Sequence, residues 1–464
     1  MNRHLVLAAC TLWASLGLSA QTKSGGISQQ MLSDIQKQSQ PVNRAIANAL
    51  ASNGIDALAK NHQNARALDT YFSIETPKQS ITDQQSSGRC WMFSGLNVLR
   101  SNLARRDSVQ IEFSQAYLFF WDQLEKANLM LQGIIDTARK PIDDQRVQFF
   151  FQHPINDGGT FCGVADLAEK YGLVPADVMP ESYSSDNTSR MARIISSKLR
   201  EYGLQLREMV AAKKSASDIN QAKTRMLAQV YDMLQLTIGE PVKTFTYAFK
   251  DKDGQVRTAP QTFTPQQFYN FVVGRELKGS FIMVMNDPRR EYHKTYEVEW
   301  DRHSYDGTNW RYLNLPMEDI EQLAIAQLTA GRKLYSSYDV GKFLDRKRGY
   351  ADLKNFDYAS LLDTSFPMDK AERISTFDSG STHAMTLTAV DLDAAGKPLK
   401  WKVENSWGTA SGQAGYLIMT AEWFREYMFR LVVDREFVPE NLQREAEQKP
   451  VLVMPEDPLF QFDE

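Results

Sequence analysis

The segment "SSGRCWMFSGLNVLR", residues 86–100, sets Cys90 where a serine- and glycine-containing turn passes into an apolar periodicity. Met92, Leu96, Leu99 and Leu103 follow at i, i+4, i+7 and i+11, the spacing of one buried helical stripe. Ser86, Ser87 and Gly88 supply cap and turn chemistry just upstream, so Cys90 falls in the first helical turn. The positive end of the helix dipole favours thiolate there, and thiolate is the reactive form. A small core hydrophobe is the commonest fate of a cysteine, so a nucleophilic role calls for a base.

Beyond the first twenty residues the chain holds five histidines. His62, His153, His293 and His303 lie in polar or mixed contexts, whereas His383 opens "HAMTLTAVDLD", in which Met385, Leu387 and Ala389 alternate with Ala384, Thr386 and Thr388. That is a strand of period two, and a histidine at its mouth sits on a rigid element while facing a cleft. In "GKPLKWKVENSWG", Gly396, Lys397 and Pro398 form a turn, and Trp401, Val403 and Asn405 share one face of a second strand. Adjacent strands then present His383 and Asn405 side by side. The Asn405 carboxamide oxygen accepts a proton from the ring and orients it, leaving the other nitrogen for Cys90. A lone histidine at a strand end is usually a surface residue; the arrangement of three carries the argument.

"QQSSGRCWMFS", "STHAMTLTAV" and "KVENSWG" resemble the papain-type cysteine peptidases, most closely the bleomycin hydrolase and aminopeptidase C branch. The resemblance continues through "FSQAYLFFWDQLEKAN", "NDGGTFCGVADLAEKYGLVP", "VMNDPRREY", "YDVGKF" and "EWFREYMFRLVVDREFVPE", covering nearly all of residues 40–440. It implies an α+β, papain-like two-lobe fold, a helical lobe plus a β-barrel-like lobe, with a large helical insertion and a C-terminal arm in the cleft. It also implies Cys90 as nucleophile, His383 as base, Asn405 as orienting amide and, six residues before the cysteine, Gln84 as donor to the oxyanion. Preorganised donors at such an oxygen typically contribute about 3 kcal/mol each. Gln85 competes for that role, and the spacing selects Gln84. By the same resemblance Trp407 shields the His383 and Asn405 pair from water, although ordinary core packing would also bury it. Asn156, Asp157, Gly158 and Gly159 match a substrate-binding glycine strand, where missing side chains let an extended peptide approach the backbone. A plain surface turn would read the same. Cys162 is read as structural, and a Cys90–Cys162 disulfide is disfavoured by the surroundings of Cys90.

The elements around these residues set the organisation. A chain of 464 residues, 42% hydrophobic and 24% charged, buries a large core. A net charge of -4 offers no electrostatic footprint for nucleic acid or an anionic membrane. Residues 1–20 read as a signal peptide: Arg3, an apolar run over 5–18, and Ala20 before Gln21. The expected location is therefore secreted or periplasmic. Lipidation at Cys10 is disfavoured because the apolar run continues past it. No later stretch reaches about 18 uninterrupted apolar residues, so no membrane span is expected. Cysteine and histidine ligands are not clustered, and neither metal nor organic cofactor is required by thiol chemistry.

Residues 21 to about 80 read as an arm, about 85–175 as the helical lobe, and about 185–370 as the insertion, with "RMARIISSKLREYGLQLREMVAAKK" as its helical signature. In the resembled branch such insertions build a ring-shaped homohexamer, which is implied here on that ground alone. The arm, about 440–464, ends "VLVMPEDPLFQFDE". In the branch, the terminal carboxylate meets the substrate's free ammonium and makes an aminopeptidase of an endopeptidase scaffold. Asp457-Pro458 keeps its place, while the residues beyond depart from the small apolar ending usual there. Leu459, Phe460 and Phe462 could anchor the arm, and Asp463 with the terminal Glu464 adds negative charge; a disordered acidic tail is the plain alternative. The expected activity is removal of one or a few residues from peptides with a free amino terminus. Its rivals are an endopeptidase of the same chemistry, a transglutaminase-like acyltransferase, opposed by Asn405 where an aspartate would serve, and a non-catalytic scaffold or nucleic-acid binder.

Overall fold

The computed structural model describes residues 25–64, 68–107, 109–455 and 457–460. The expected signal peptide, Cys10, Phe462, Asp463 and Glu464 lie outside the described residues. Two compact units divide the chain, residues 1–59 and 60–464. In the first, helices span Gln29–Gln38, Arg44–Ser52 and Ile55–Ala59, and the Ser28 and Asn43 side chains cap the first two by accepting from N–H groups of the opening turn.

The second unit carries the site. Helices Cys90–Asp107, Gln115–Asp136, Gln145–Gln152 and Phe161–Tyr171 form the expected helical lobe. Met92, Leu96, Leu99 and Leu103 are all buried, as their spacing predicts. They join a core with Leu118, Phe119, Leu131, Val164 and Leu167 from the neighbouring helices. Asp157 meets the orphan donors ahead of the Cys90 helix: the Gly88 N–H donates to its Oδ2 at 2.6 Å.

Among the described residues the main sheet has twelve strands. His383–Leu392 lies inside it, antiparallel to Pro398–Glu404 on one side and to Leu334–Tyr338 on the other. Met428–Asp434 follows, then Phe281–Met285, again antiparallel. Alternation divides the side chains between two cores. Tyr335, Ala384 and Val432 join the helical-lobe core, while Leu334, Met385, Leu387, Leu431 and Val433 pack with Trp401, Trp423 and Phe424. The Cys90 helix lies against the His383 strand, where the Thr386 hydroxyl donates to the Ser94 carbonyl at 3.2 Å.

Residues 185–370, expected as a large helical insertion, hold strands as well as helices. Thr188–Ala211 and Ala216–Thr237 are the long helices that the charged periodicity predicts. Strands follow, and Phe281–Met285 and Leu334–Tyr338 are built into the central sheet. Phe281–Met285 is apolar throughout and buried at four of its five positions, and such a short run shows no alternation by which a strand could be told from a helix.

A buried charge cluster locks the helix to the sheet beside the site. Glu404 accepts from Arg100 at 3.1 Å and from Lys333 at 2.5 Å, and all three are at most 2% exposed. Arg100 belongs to the Cys90 helix and Glu404 precedes Asn405. Among the described residues no helix is long and apolar enough to cross a membrane.

Candidate active site

Cys90 is the first residue of its helix and is partly exposed. The backbone N–H of Ala384 points at its Sγ at 3.4 Å, so the mouth of the His383 strand and the start of the helix meet at the sulfur. His383 Nε2 lies 2.8 Å from Asn405 Oδ1. That oxygen also accepts from the Ser406 N–H at 2.8 Å, which identifies it as the carbonyl oxygen of the amide. Nε2 therefore carries the proton, and Nδ1 keeps the lone pair. Burial pushes the His383 imidazole down to about 4; the Asn405 bond opposes this and the Arg346 charge adds to it. The Trp407 ring lies 4.8 Å from the imidazole, centroid to centroid, with the Arg346 guanidinium 5.1 Å from the indole.

Gln84 reaches the site because residues 82–84 run antiparallel to 406–408, with Gln84 N–H donating to the Ser406 carbonyl at 2.8 Å and Gly408 N–H to that of Thr82 at 3.2 Å. Its side chain is held at both ends. Oε1 accepts from the Ser406 hydroxyl at 2.6 Å, and Nε2 donates to the Ser87 carbonyl at 2.5 Å. An amide nitrogen carries two hydrogens, so one remains for an oxyanion.

Cys90, His383 and Gln84 line one cavity of about 480 Å³. Asn156, Asp157, Gly158 and Gly159 form part of its wall, and their backbone is pinned from behind. Trp91 Nε1 donates to the Asp157 carbonyl at 2.8 Å, and Lys126 Nζ donates to those of Asn156 and Gly158 at 2.9 and 2.6 Å. A Cβ at Gly159 would lie 2.2 Å from the His303 ring and 2.7 Å from Trp91, so the close approach demands glycine. The Asp157 carboxylate oxygen Oδ2 is shared by the Gly88 N–H and the Thr188 hydroxyl. Trp407 does not line this cavity; it covers His383 instead. Glu464 lies outside the described residues.

The profile of the Peptidase C1-like family matches residues 26–460. The chain is 37% identical over 425 residues to Aminopeptidase C of Lactobacillus delbrueckii subsp. lactis, covering 90% of this chain and 94% of that one. Bleomycin hydrolase of Homo sapiens is 37% identical over 403 residues, covering 84% and 88%. The crystal structure of PepW from Lactobacillus rhamnosis superposes with a TM-score of 0.90 at 36% identity, covering 95% of this chain and all of that one. The chain belongs to the Peptidase C1-like family.

Cys162, the peptidase's other described cysteine, is a buried free thiol packed 3.2 Å from the Met283 sulfur, and burial pushes its pKa well up. It is not bridged to Cys90. Several cavity residues escape sequence reasoning: Asp301, Tyr335, Ser337, Ser381 and Arg430. They come from distant segments, Tyr335, Ser337 and Arg430 on paired strands and Asp301 and Ser381 on loops, that only the tertiary fold assembles. Ser406, which holds Gln84, was signalled only by its place in "ENSWG". Among the described residues no group of three or more His, Cys, Asp or Glu side chains is arranged to hold a metal ion.

Proposed function

We propose that this chain is a cysteine aminopeptidase, acting near the free amino terminus of peptides. The observation that carries the reading is the His383 Nε2 bond to Asn405 at 2.8 Å beside a thiol contacted by the Ala384 N–H. Nδ1 takes the Cys90 proton as the sulfur attacks the scissile carbonyl carbon. The oxygen becomes an oxyanion, met by the Gln84 side-chain amide and the Cys90 backbone N–H. The C–N bond then breaks, and His383 passes the proton to the leaving amine. Water, losing its proton to His383, attacks the thioester and releases the acid and the thiol. No step calls on a cofactor.

Aminopeptidase character rests on the C-terminal arm. Val451–Val453 pairs parallel to Lys294–Val298 and leads the chain to Pro458, whose carbonyl lies beside Gly380, ahead of the cavity residues Ser381 and Thr382. The decisive assay compares free and acetylated versions of one peptide. Preference for the free amine supports the reading, and equal or better cleavage of the acetylated peptide establishes an endopeptidase.

Export through the apolar leader and assembly into a homohexamer belong to the same proposal, the latter supported by resemblance alone. Cell fractionation and light scattering of the purified enzyme test them.

A further inference from the structure

On the Gly158–Gly159 side the catalytic cavity is lined by Asp301. Its backbone is committed: the N–H donates to the Val298 carbonyl at 3.4 Å, and the carbonyl accepts from the Trp310 N–H at 2.8 Å. One side-chain oxygen is not. Oδ2 is buried and accepts no hydrogen bond, and burial pushes the carboxyl's pKa up.

The groups whose fields reach Asp301 are engaged elsewhere. Lys126 pairs with Asp122 at 3.0 Å while holding the Asn156 and Gly158 carbonyls. His303 Nδ1 is bonded to Asp122 at 2.5 Å, and its Nε2 accepts from the Thr160 N–H at 3.2 Å. Arg430, which also lines the cavity, lies over the Trp310 ring at 5.0 Å. The Lys126 and Arg430 charges offset part of the carboxylate's cost without bonding to Oδ2. A buried acceptor left unmade is destabilising, and in a native structure it points to a strain, a functional role or a ligand.

Asp301 also borders a recess of about 50 Å³ behind Gly158 and Gly159, lined by Leu129, Met130 and Phe150 but also by Lys126 and Arg302. A carboxylate on the wall of the catalytic cavity, with one oxygen left without a hydrogen bond, suits an ammonium group. We propose that Asp301 is a specificity-determining residue, receiving a substrate ammonium group on the Gly158–Gly159 side of the cavity. The α-amine of the first residue and the side chain of lysine share that chemistry. The inference rests on the peptidase reading of Cys90 and His383, and is independent of the C-terminal arm.

The test measures kcat/KM of the full-length enzyme, wild type, Asp301→Asn and Asp301→Glu, on four matched fluorogenic peptides. These carry lysine or norleucine first, each with a free or an acetylated amine. Asp301→Asn should lower the cleavage of the recognised cation about ten- to a hundredfold, mainly through KM, with Asp301→Glu retaining part of the preference. A collapse of the free-to-acetylated ratio assigns the α-amine; a collapse of the lysine-to-norleucine ratio assigns the side chain. Unchanged ratios, or an equal fall on all four peptides, overturn the proposal. Alkylation of Cys90 at the wild-type rate checks that the variant site is intact. A wild-type enzyme that prefers acetylated peptides would defeat the aminopeptidase reading, while the lysine-to-norleucine ratio would still judge Asp301.

Discussion

Asp457 and Arg290 are joined by a 2.7 Å hydrogen bond from Nη2 to Oδ2. Arg289 donates to the other carboxylate oxygen, also at 2.7 Å, and Asp287 stands behind both guanidiniums. Burial opposes the charge on Asp457, but the two arginines prevail and hold its carboxyl below the usual range. The arm is thus fastened seven positions before its end, with Leu459 buried just beyond. Removing residues 461–464, or breaking the latch by Asp457→Ala, should raise cleavage of acetylated relative to free peptides, about tenfold or more for the truncation. Matched peptides read the ratio, and light scattering checks the assembly. A ratio unmoved by truncation would show that the arm is not the gate.

Cys90 and Cys162 differ in access and environment. One lines an open cavity; the other is 4% exposed, with its thiol pKa pushed well up by burial. Iodoacetamide at neutral pH should modify Cys90 and abolish activity while Cys162 stays unlabelled in the folded protein. Mass spectrometry of the tryptic peptides follows both. Cys90→Ala should fold and show no turnover.

His383 couples folding to pH. Its pKa is about 4 when folded, below the ordinary value of 6.5, so between those values the unfolded chain binds a proton that the native one refuses. The stability it contributes is fully present above about pH 6.5 and is lost as the pH falls toward 4, amounting to about 3 kcal/mol. Urea denaturation in a Cys90→Ala background isolates this effect from thiolate formation. His383→Ala in that background should show a flatter decline between pH 7.5 and 4.5.

Glu404 neutralises two buried cations, and burial already lowers the Lys333 pKa. Glu404→Leu strands both charges and should destabilise the peptidase by about 3 to 5 kcal/mol. Calorimetry or urea titration measures the loss. Since Arg100 lies on the Cys90 helix and Asn405 follows Glu404, turnover by the folded fraction should fall too.

Where neighbours along the chain suffice, the sequence alone determined the outcome. The 3.6-residue stripe from Met92 to Leu103 specified a helix beginning at Cys90. The two-residue alternation after His383, with the turn at Gly396, specified paired strands that bring Asn405 to the ring. These patterns act over one element or one hairpin, so burial of their apolar faces is enough to define them. Tertiary structure alone decided the rest. Gln84 meets Ser406 across 322 residues. Leu334–Tyr338 lies between the His383 strand and Met428–Asp434, bringing Tyr335, Ser337 and Arg430 to the same cavity, while Asp301 arrives from a separate turn. Sheet register makes these meetings, and a shift of one residue would turn every side chain to the opposite face. Short, doubly buried strands carry no periodic signal of which partner they will choose, so the cavity's floor follows from packing among distant segments rather than from any local pattern.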